Sequence, residues 1–166
     1  MAYNIDTQLL GCPPITNHDT TAIVPVGTIV KAHDPTYGAG EFIYLKGCAS
    51  TVAGSVVNYN GLTYLTALGY IGENVAGPMA IAMSANVAGE YGWYQIAGYA
   101  IASKGCAVSF AAGAKVAVST STGLAVATIS GNELQGAVVA TVASATAGRV
   151  TVALMISRPH VQGRVT

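Results

Sequence analysis

From Thr28 onward, apolar residues come in short runs cut by glycine, with no 3.6-residue period held for any length. The runs are Thr28–Ala32, Glu41–Lys46, Ser55–Tyr59, Leu62–Thr66, Met79–Met83, Gly92–Ser103, Ala114–Ser119, Leu124–Ile129, Gly136–Ala143 and Arg149–Ser157. The last is the cleanest: Val150, Val152, Leu154 and Ile156 alternate with Arg149, Thr151, Ala153 and Met155, the period of a half-buried strand. Asn60-Gly61 between two runs predicts a two-residue hairpin, and Ser121-Thr122-Gly123 predicts another. Many short strands with glycine-rich turns predict an all-β domain, a sandwich or barrel of short antiparallel strands. One or two helical turns are conceivable in Ala67–Val75 or Met83–Gly89, where alanine is mixed with glycine and β-branched residues.

Residues 1–27 differ. Gly11, Pro13, Pro14, Pro25 and Gly27 break regular structure, and Ile5, Leu9, Leu10, Ile15, Ile23 and Val24 keep no steady period. This predicts an extended N-terminal arm over 1–27 that lies on something rather than forming its own core, followed by a β-rich domain over 28–166; a frayed terminus is the alternative. The Gly92–Ser103 run is apolar on both faces, with Trp93, Gln95, Ala97, Tyr99 and Ile101 on one and Tyr94, Ile96, Ala100 and Ala102 on the other. Each face therefore needs a cover, and one of them calls for a second sheet or a neighbouring subunit. Tyr91, Trp93, Tyr94 and Tyr99, together with Ile5, Leu9, Leu10 and Ile15 of the arm, are the interface candidates. The competing reading of the lone Trp93 is an ordinary core residue.

Composition sharpens this picture. Charged residues are 8% of the chain, against about 25% in an average domain. A folded monomer of this mass exposes about 7,600 Å², so charges stand roughly one per 540 Å² instead of about one per 185 Å². Interface cores are depleted of charge in the same way, which points to a surface that faces other protein. A monomer clothed in Ser, Thr, Asn and Tyr is the alternative. A formal net charge of zero and scattered Lys and Arg, with only a thin group at Arg149, Arg158 and Arg164, argue against a nucleic-acid partner. The N-terminal residues do not read as a secretory signal, and no run has the length of a membrane-spanning helix. The scarcity of aromatic girdles disfavours a membrane barrel. Cys12, Cys48 and Cys106 read as reduced, buried thiols.

Candidate chemistry is thin. There is no Gly-x-Ser-x-Gly elbow, no phosphate-binding loop after Gly38-Ala39-Gly40 and no paired zinc-ligand spacing. His18-Asp19 and His33-Asp34 are the nearest to an acid–base or metal site, but neighbours on a strand point to opposite faces, so surface or turn roles are expected. His160 follows Pro159 in an expected tail, and Glu41, Glu73, Glu90 and Glu133 are far apart in sequence. No catalytic residue, cofactor or metal is expected.

The stretch Gly77-Pro-Met-Ala-Ile-Ala-Met-Ser-Ala-Asn-Val-Ala-Gly-Glu-Tyr-Gly-Trp-Tyr-Gln-Ile-Ala-Gly98 resembles a segment of tailed-phage capsid decoration, or cement, proteins. Glu41–Gly47 and the Ala-Gly-x-Val-x-Val pattern of residues 147–152 look similar to the same family, and the order of elements matches over about residues 38–158. The resemblance implies a β-rich subunit, often a homotrimer, synthesised in the host cytoplasm and held on the outer capsid surface of the virion. There it would clamp capsomers of the major capsid protein, without enzymatic activity. The alternatives are a head-fibre or tail module that binds a receptor or glycan through its aromatics, and, further off, a small β-barrel nucleotide hydrolase.

Overall fold

A computed structural model describes residues 3–6, 11–69, 76–105, 108–119, 122–128, 133–145 and 150–162. The fold is all-β, with no helix among the described residues. Among the described residues twelve strands run in chain order: β1 (Asn4–Ile5), β2 (His18–Asp19), β3 (Ile29–Asp34), β4 (Gly38–Lys46), β5 (Val56–Tyr59), β6 (Thr66–Leu68), β7 (Ala76–Ala82), β8 (Tyr91–Lys104), β9 (Lys115–Val118), β10 (Ala125–Ala127), β11 (Glu133–Val139) and β12 (Val150–Gln162).

Two strands organise everything else. β8 and β12 pair antiparallel from Ala97–Ser157 to Lys104–Val150. From β12 the ladder continues through β11, β9 and β10, and a short parallel contact between Ala125 and Lys104 returns it to β8. These five strands close into a small barrel. Its interior holds Ala100, Ala102, Val116, Val118, Leu134, Val139, Val152, Leu154 and Ile156, the inward half of each strand's alternation. At the other end β8 and β12 diverge and β7 enters between them, pairing Ile81 and Ala82 with β8 and Ala76–Pro78 with β12. The first half of β8 thus lies in an open sheet, β1-β3-β4-β8-β7-β5-β6.

The divergence is built from two bulges. On β8 the register with β4 shifts between Glu41 and Phe42, next to Gly98, whose φ is +101°. A Cβ there would stand 2.4 Å from the Ala39 carbonyl oxygen, so only glycine fits. Gln95, fully buried, donates its amide to the carbonyls of Ala97 and Tyr99 and so satisfies backbone groups that the bulge releases from the ladder. On the β11–β12 pair the register shifts at Gly136, φ +75°, and Arg158 opposite adopts φ +46°.

The N-terminal segment has its own place in this architecture. β1 pairs with β3, and β2 pairs with β8. Between them, Ile15 and Tyr3 pack with Val30, Phe42, Tyr44 and Trp93 in a second core cluster. The Trp93 indole N–H donates to the Pro13 carbonyl at 3.0 Å, and the Tyr3 hydroxyl donates to the Tyr99 carbonyl at 3.0 Å. What the described residues of this segment, 3–6 and 11–27, lie on is therefore the chain's own sheet. A third cluster, Ile43, Leu45, Val57, Ala80, Tyr94 and Ile96, fills the opposite face of that sheet.

Three expectations need correction. The run Leu62–Thr66 is not a strand. Asn60 Oδ1 accepts the amides of Leu62 and Thr63, and neither Asn60 nor Gly61 takes the positive φ that a type I′ turn requires. The chain instead turns back at Tyr64, φ +56°, and pairing resumes at Thr66. The 83–89 segment holds bends and turns and no helix; residues 70–75 of the other suggested helical stretch lie outside the described residues. His160 is not in a tail, since β12 crosses its bulge and runs on to pair His160 with Gln135 and Pro78. The hairpin expected around Ser121–Gly123 corresponds to the antiparallel β9–β10 pair, although Ser121 itself lies outside the described residues.

Candidate interaction surface

The interface candidates from sequence fall into three groups. Ile15, Trp93 and Tyr94 are fully or almost fully buried inside the chain. Trp93 meets Tyr44 edge-on at 5.1 Å, and Tyr94 sits in the third cluster, where burial pushes its phenol up to about 12. These side chains are committed to their own core, so the expectation that they anchor a neighbour is corrected: the fold folds the aromatic cluster inward under residues 3–27. Ile5, Tyr91 and Tyr99 are half-buried at the surface, and Leu9 and Leu10 lie outside the described residues. Tyr91 stacks on Tyr44 under the Lys46 ammonium, 5.6 Å away.

Tyr99 leads to a surface that sequence reasoning passed over. Directly opposed residues on neighbouring strands share a face. Lys31, Glu41, Ala97 and Ser157 form one such row across β3, β4, β8 and β12. Tyr99, Met155, Val138 and Lys115 form the next, across β8, β12, β11 and β9. Ile101 and Ala153 form a third. This is the outside of the barrel. It continues the β8 face that carries Tyr94 and Ile96, because the register shift between Gln95 and Ala97 puts Ala97 and Tyr99 on the side opposite Trp93. Met155 is 50% exposed and Val138 43% exposed, directly paired at the centre of the strip. Tyr37 stacks on Tyr99 with ring centroids 5.4 Å apart and borders it.

Charge gathers at the edges of this strip. Beside Ala97 and Ser157 opens a groove of about 320 Å³ lined by Asp6, Lys31, Glu41 and Arg158. Arg158 donates to Glu41 at 2.8 Å, Lys31 stands 4.0 Å from the same carboxylate, and Asp6 meets His33 at 2.6 Å. On the far side, beyond Val138, Lys115 donates to Glu133 at 2.7 Å. Of fourteen Lys, Arg, Asp and Glu residues, Glu73, Arg149 and Arg164 lie outside the described residues, leaving eleven, and six of those eleven rim this one strip. An apolar centre with a charged, wet rim is the usual anatomy of a protein contact.

The same geometry settles the two His-Asp pairs. His18 points to Glu90 at 3.7 Å, while His33 points to Asp6 and its neighbour Asp34 turns inward to accept the amides of Thr36 and Tyr37. Each dyad splits, as strand alternation requires. Among the described residues no three His, Cys, Asp or Glu side chains gather as a metal would need, and Cys12 and Cys48 are free, half-buried thiols. Glu41 and Glu133, distant in sequence, lie on opposite sides of the strip, so each is held by its own cation and they form no carboxylate pair. Lys104 is buried and donates to the carbonyls of Val108 at 2.6 Å and Ser144 at 2.9 Å, which ties the loops at the barrel's end.

A second exposed apolar feature is the β5–β6 loop, where Leu62 is 87% exposed and Leu65 half so. It is a loop tip without a built surface behind it. Compared with known protein families the chain matches none, and the curated proteins hold no match to it either. The class defined by fold and surface is an all-β domain that carries an exposed apolar strip on a sheet face.

Proposed function

We propose that this chain is a virion structural protein, a capsid decoration subunit that binds the outer capsid surface and stabilises contacts between capsomers of the major capsid protein. The observation that carries the reading is the exposed strip Tyr99–Met155–Val138 on the barrel's outer face, apolar at its centre and charged at its rim, which suits a chain that works by contact with other protein, its own copies included. The resemblance of Gly77–Gly98 to decoration proteins supports it. In the structure that stretch forms most of β7, the β7–β8 connection and the first half of β8, the part that positions the strip. The role requires adhesion and rigidity and no catalysis. A closed barrel framed by the two long strands β8 and β12 supplies a surface that is already ordered before it binds, so little entropy is lost on contact. Many copies on one lattice then act together even when each contact is modest.

Capsids assembled from the major capsid protein of the same virus test this directly. Incubated with the purified chain and sedimented, they should carry it down at a fixed ratio, and images should show added density on the outer surface. Absence of both refutes the proposal. Selective hits on a glycan array without capsid binding would replace it with a receptor- or glycan-binding role.

A further inference from the structure

We infer that the open β12 face is closed by a second copy of this chain, in a two-fold contact whose axis runs along β12. The Glu41–Arg158 flank of one subunit then lies on the Lys115–Glu133 flank of the other. The inference rests on the reading of this face as a protein contact and names its occupant.

Charge complementarity selects the partner. The rim holds three acids, Asp6, Glu41 and Glu133, and three bases, Lys31, Lys115 and Arg158, each flank carrying both signs. A partner of one sign, such as nucleic acid or a basic tail, would be attracted by half of this rim and repelled by the other half. A second copy brings the same balanced set. The two flanks sit on opposite lateral sides of β12, one on β3 and β4 and one on β9 and β11, at a similar height near Ser157. Rotation about an axis along β12 exchanges those sides, which places Arg158 against Glu133 of the other copy and Glu41 against its Lys115. Met155 meets its own counterpart on the axis, and Val138 meets Tyr99 of the other copy, as a self-complementary patch requires.

The size of the face sets the strength. From Thr151 to Ser157 the strip is about 20 Å long at roughly 3.3 Å per residue, and five strands across it span about 19 Å. That is near 400 Å², half of the roughly 800 Å² per partner in a standard stable interface. The pair is therefore concentration-dependent and dissociates on dilution.

Sedimentation equilibrium of the full chain from about 5 to 500 μM gives the test, a range that brackets dissociation constants of weak pairs, on the order of micromolar to a fraction of millimolar. A monomer–dimer equilibrium is expected. Met155→Lys should shift dissociation at least tenfold weaker with an unchanged melting temperature, since the side chain is solvent-facing in the monomer. Arg158→Glu and Glu133→Lys should each weaken the pair, and the two together in one chain should restore it. A monomer at every concentration, a trimer, or a dimer indifferent to Met155→Lys overturns the inference. A monomer that still coats capsids would leave the decoration role standing and remove only this contact, whereas a dimer that ignores capsids would do the reverse.

Discussion

Replacing Trp93 by Phe tests whether residues 3–27 are bound to the sheet as the structure shows. Trp93 is completely buried, packs edge-on against Tyr44 and donates its indole N–H to the Pro13 carbonyl at 3.0 Å. Phenylalanine keeps the aromatic contact and removes the donor. Leaving that buried carbonyl unpartnered costs about 1–3 kcal/mol. The smaller ring opens a void of roughly 40 Å³, worth about 1 kcal/mol at about 24 cal/mol per Å³. The sum is about 2–4 kcal/mol. For a chain of this length each kcal/mol moves Tm by roughly 2–4 °C, so a fall of about 4–16 °C is expected. Alanine would be less informative, because the lost ring and bond together approach the whole stability of a domain, roughly 5–15 kcal/mol. Thermal unfolding followed by far-ultraviolet circular dichroism reads the shift without relying on the lost fluorophore. A Phe variant that melts within 1 °C of the parent would show that the Pro13 contact contributes nothing (the expected minimum being about 4 °C) and would refute the docked segment.

Four further outcomes follow from the same structure. Deleting residues 1–27 should leave an aggregation-prone chain with red-shifted Trp93 emission, because it strips Tyr3, Ile15 and Pro13 from Phe42, Tyr44 and Trp93; a cooperative melt with blue-shifted emission would contradict this. Gly98→Ala should lower stability by about 2–4 kcal/mol in urea unfolding, combining a left-handed backbone with a Cβ forced onto the Ala39 carbonyl; an unchanged midpoint would show that the bulge is not needed. Lys104→Met should cost about 1–3 kcal/mol, since the Val108 and Ser144 carbonyls lose a charged donor; a gain would show instead that the cation's own burial dominates. Burial raises the Tyr94 phenol to about 12, so between pH 10 and about 12 the folded chain keeps a proton that the unfolded chain has lost, and stability falls as pH rises through that window. Urea midpoints from pH 9 to 12 should show the fall, and Tyr94→Phe should make it shallower; an identical slope would contradict the assignment.

The parts of this fold that sequence reveals are those decided locally. Period-two alternation marked β12, and apolar residues on both sides of Gly92–Ser103 marked a strand that needs two covers. What sequence could not show is which part of the chain provides each cover. Ile15 and Tyr3 sit in a stretch without periodicity, and only tertiary contact reveals that β1 and β2, two residues each, are strands at all. Asn60-Gly61 misled because the Asn60 side chain caps the next two amides and moves the turn onward to Tyr64. The rim of the strip was illegible for a different reason. Glu41 and Arg158 are 117 positions apart and meet only because two bulges bend their strands together. A signal was present in Gly98 and Gly136, glycines inside otherwise apolar runs, which mark bulges or close backbone approach.

Those bulges also explain why an open face exists where it does. A strand as long and as apolar as β8 cannot lie in one flat sheet with both sides covered by a chain of 166 residues. Gly98 divides it. Before the bulge, the described part of the N-terminal segment covers one side and the third cluster the other; after it, the barrel encloses one side and Met155 and Val138 stand exposed on the other. Beyond Tyr99 the strip is apolar enough to favour burial and too small, at roughly 400 Å², to hold a partner firmly by itself. A surface of that kind suits a subunit whose attachment is shared among many weak contacts, and it is poorly suited to one that must hold a single partner alone.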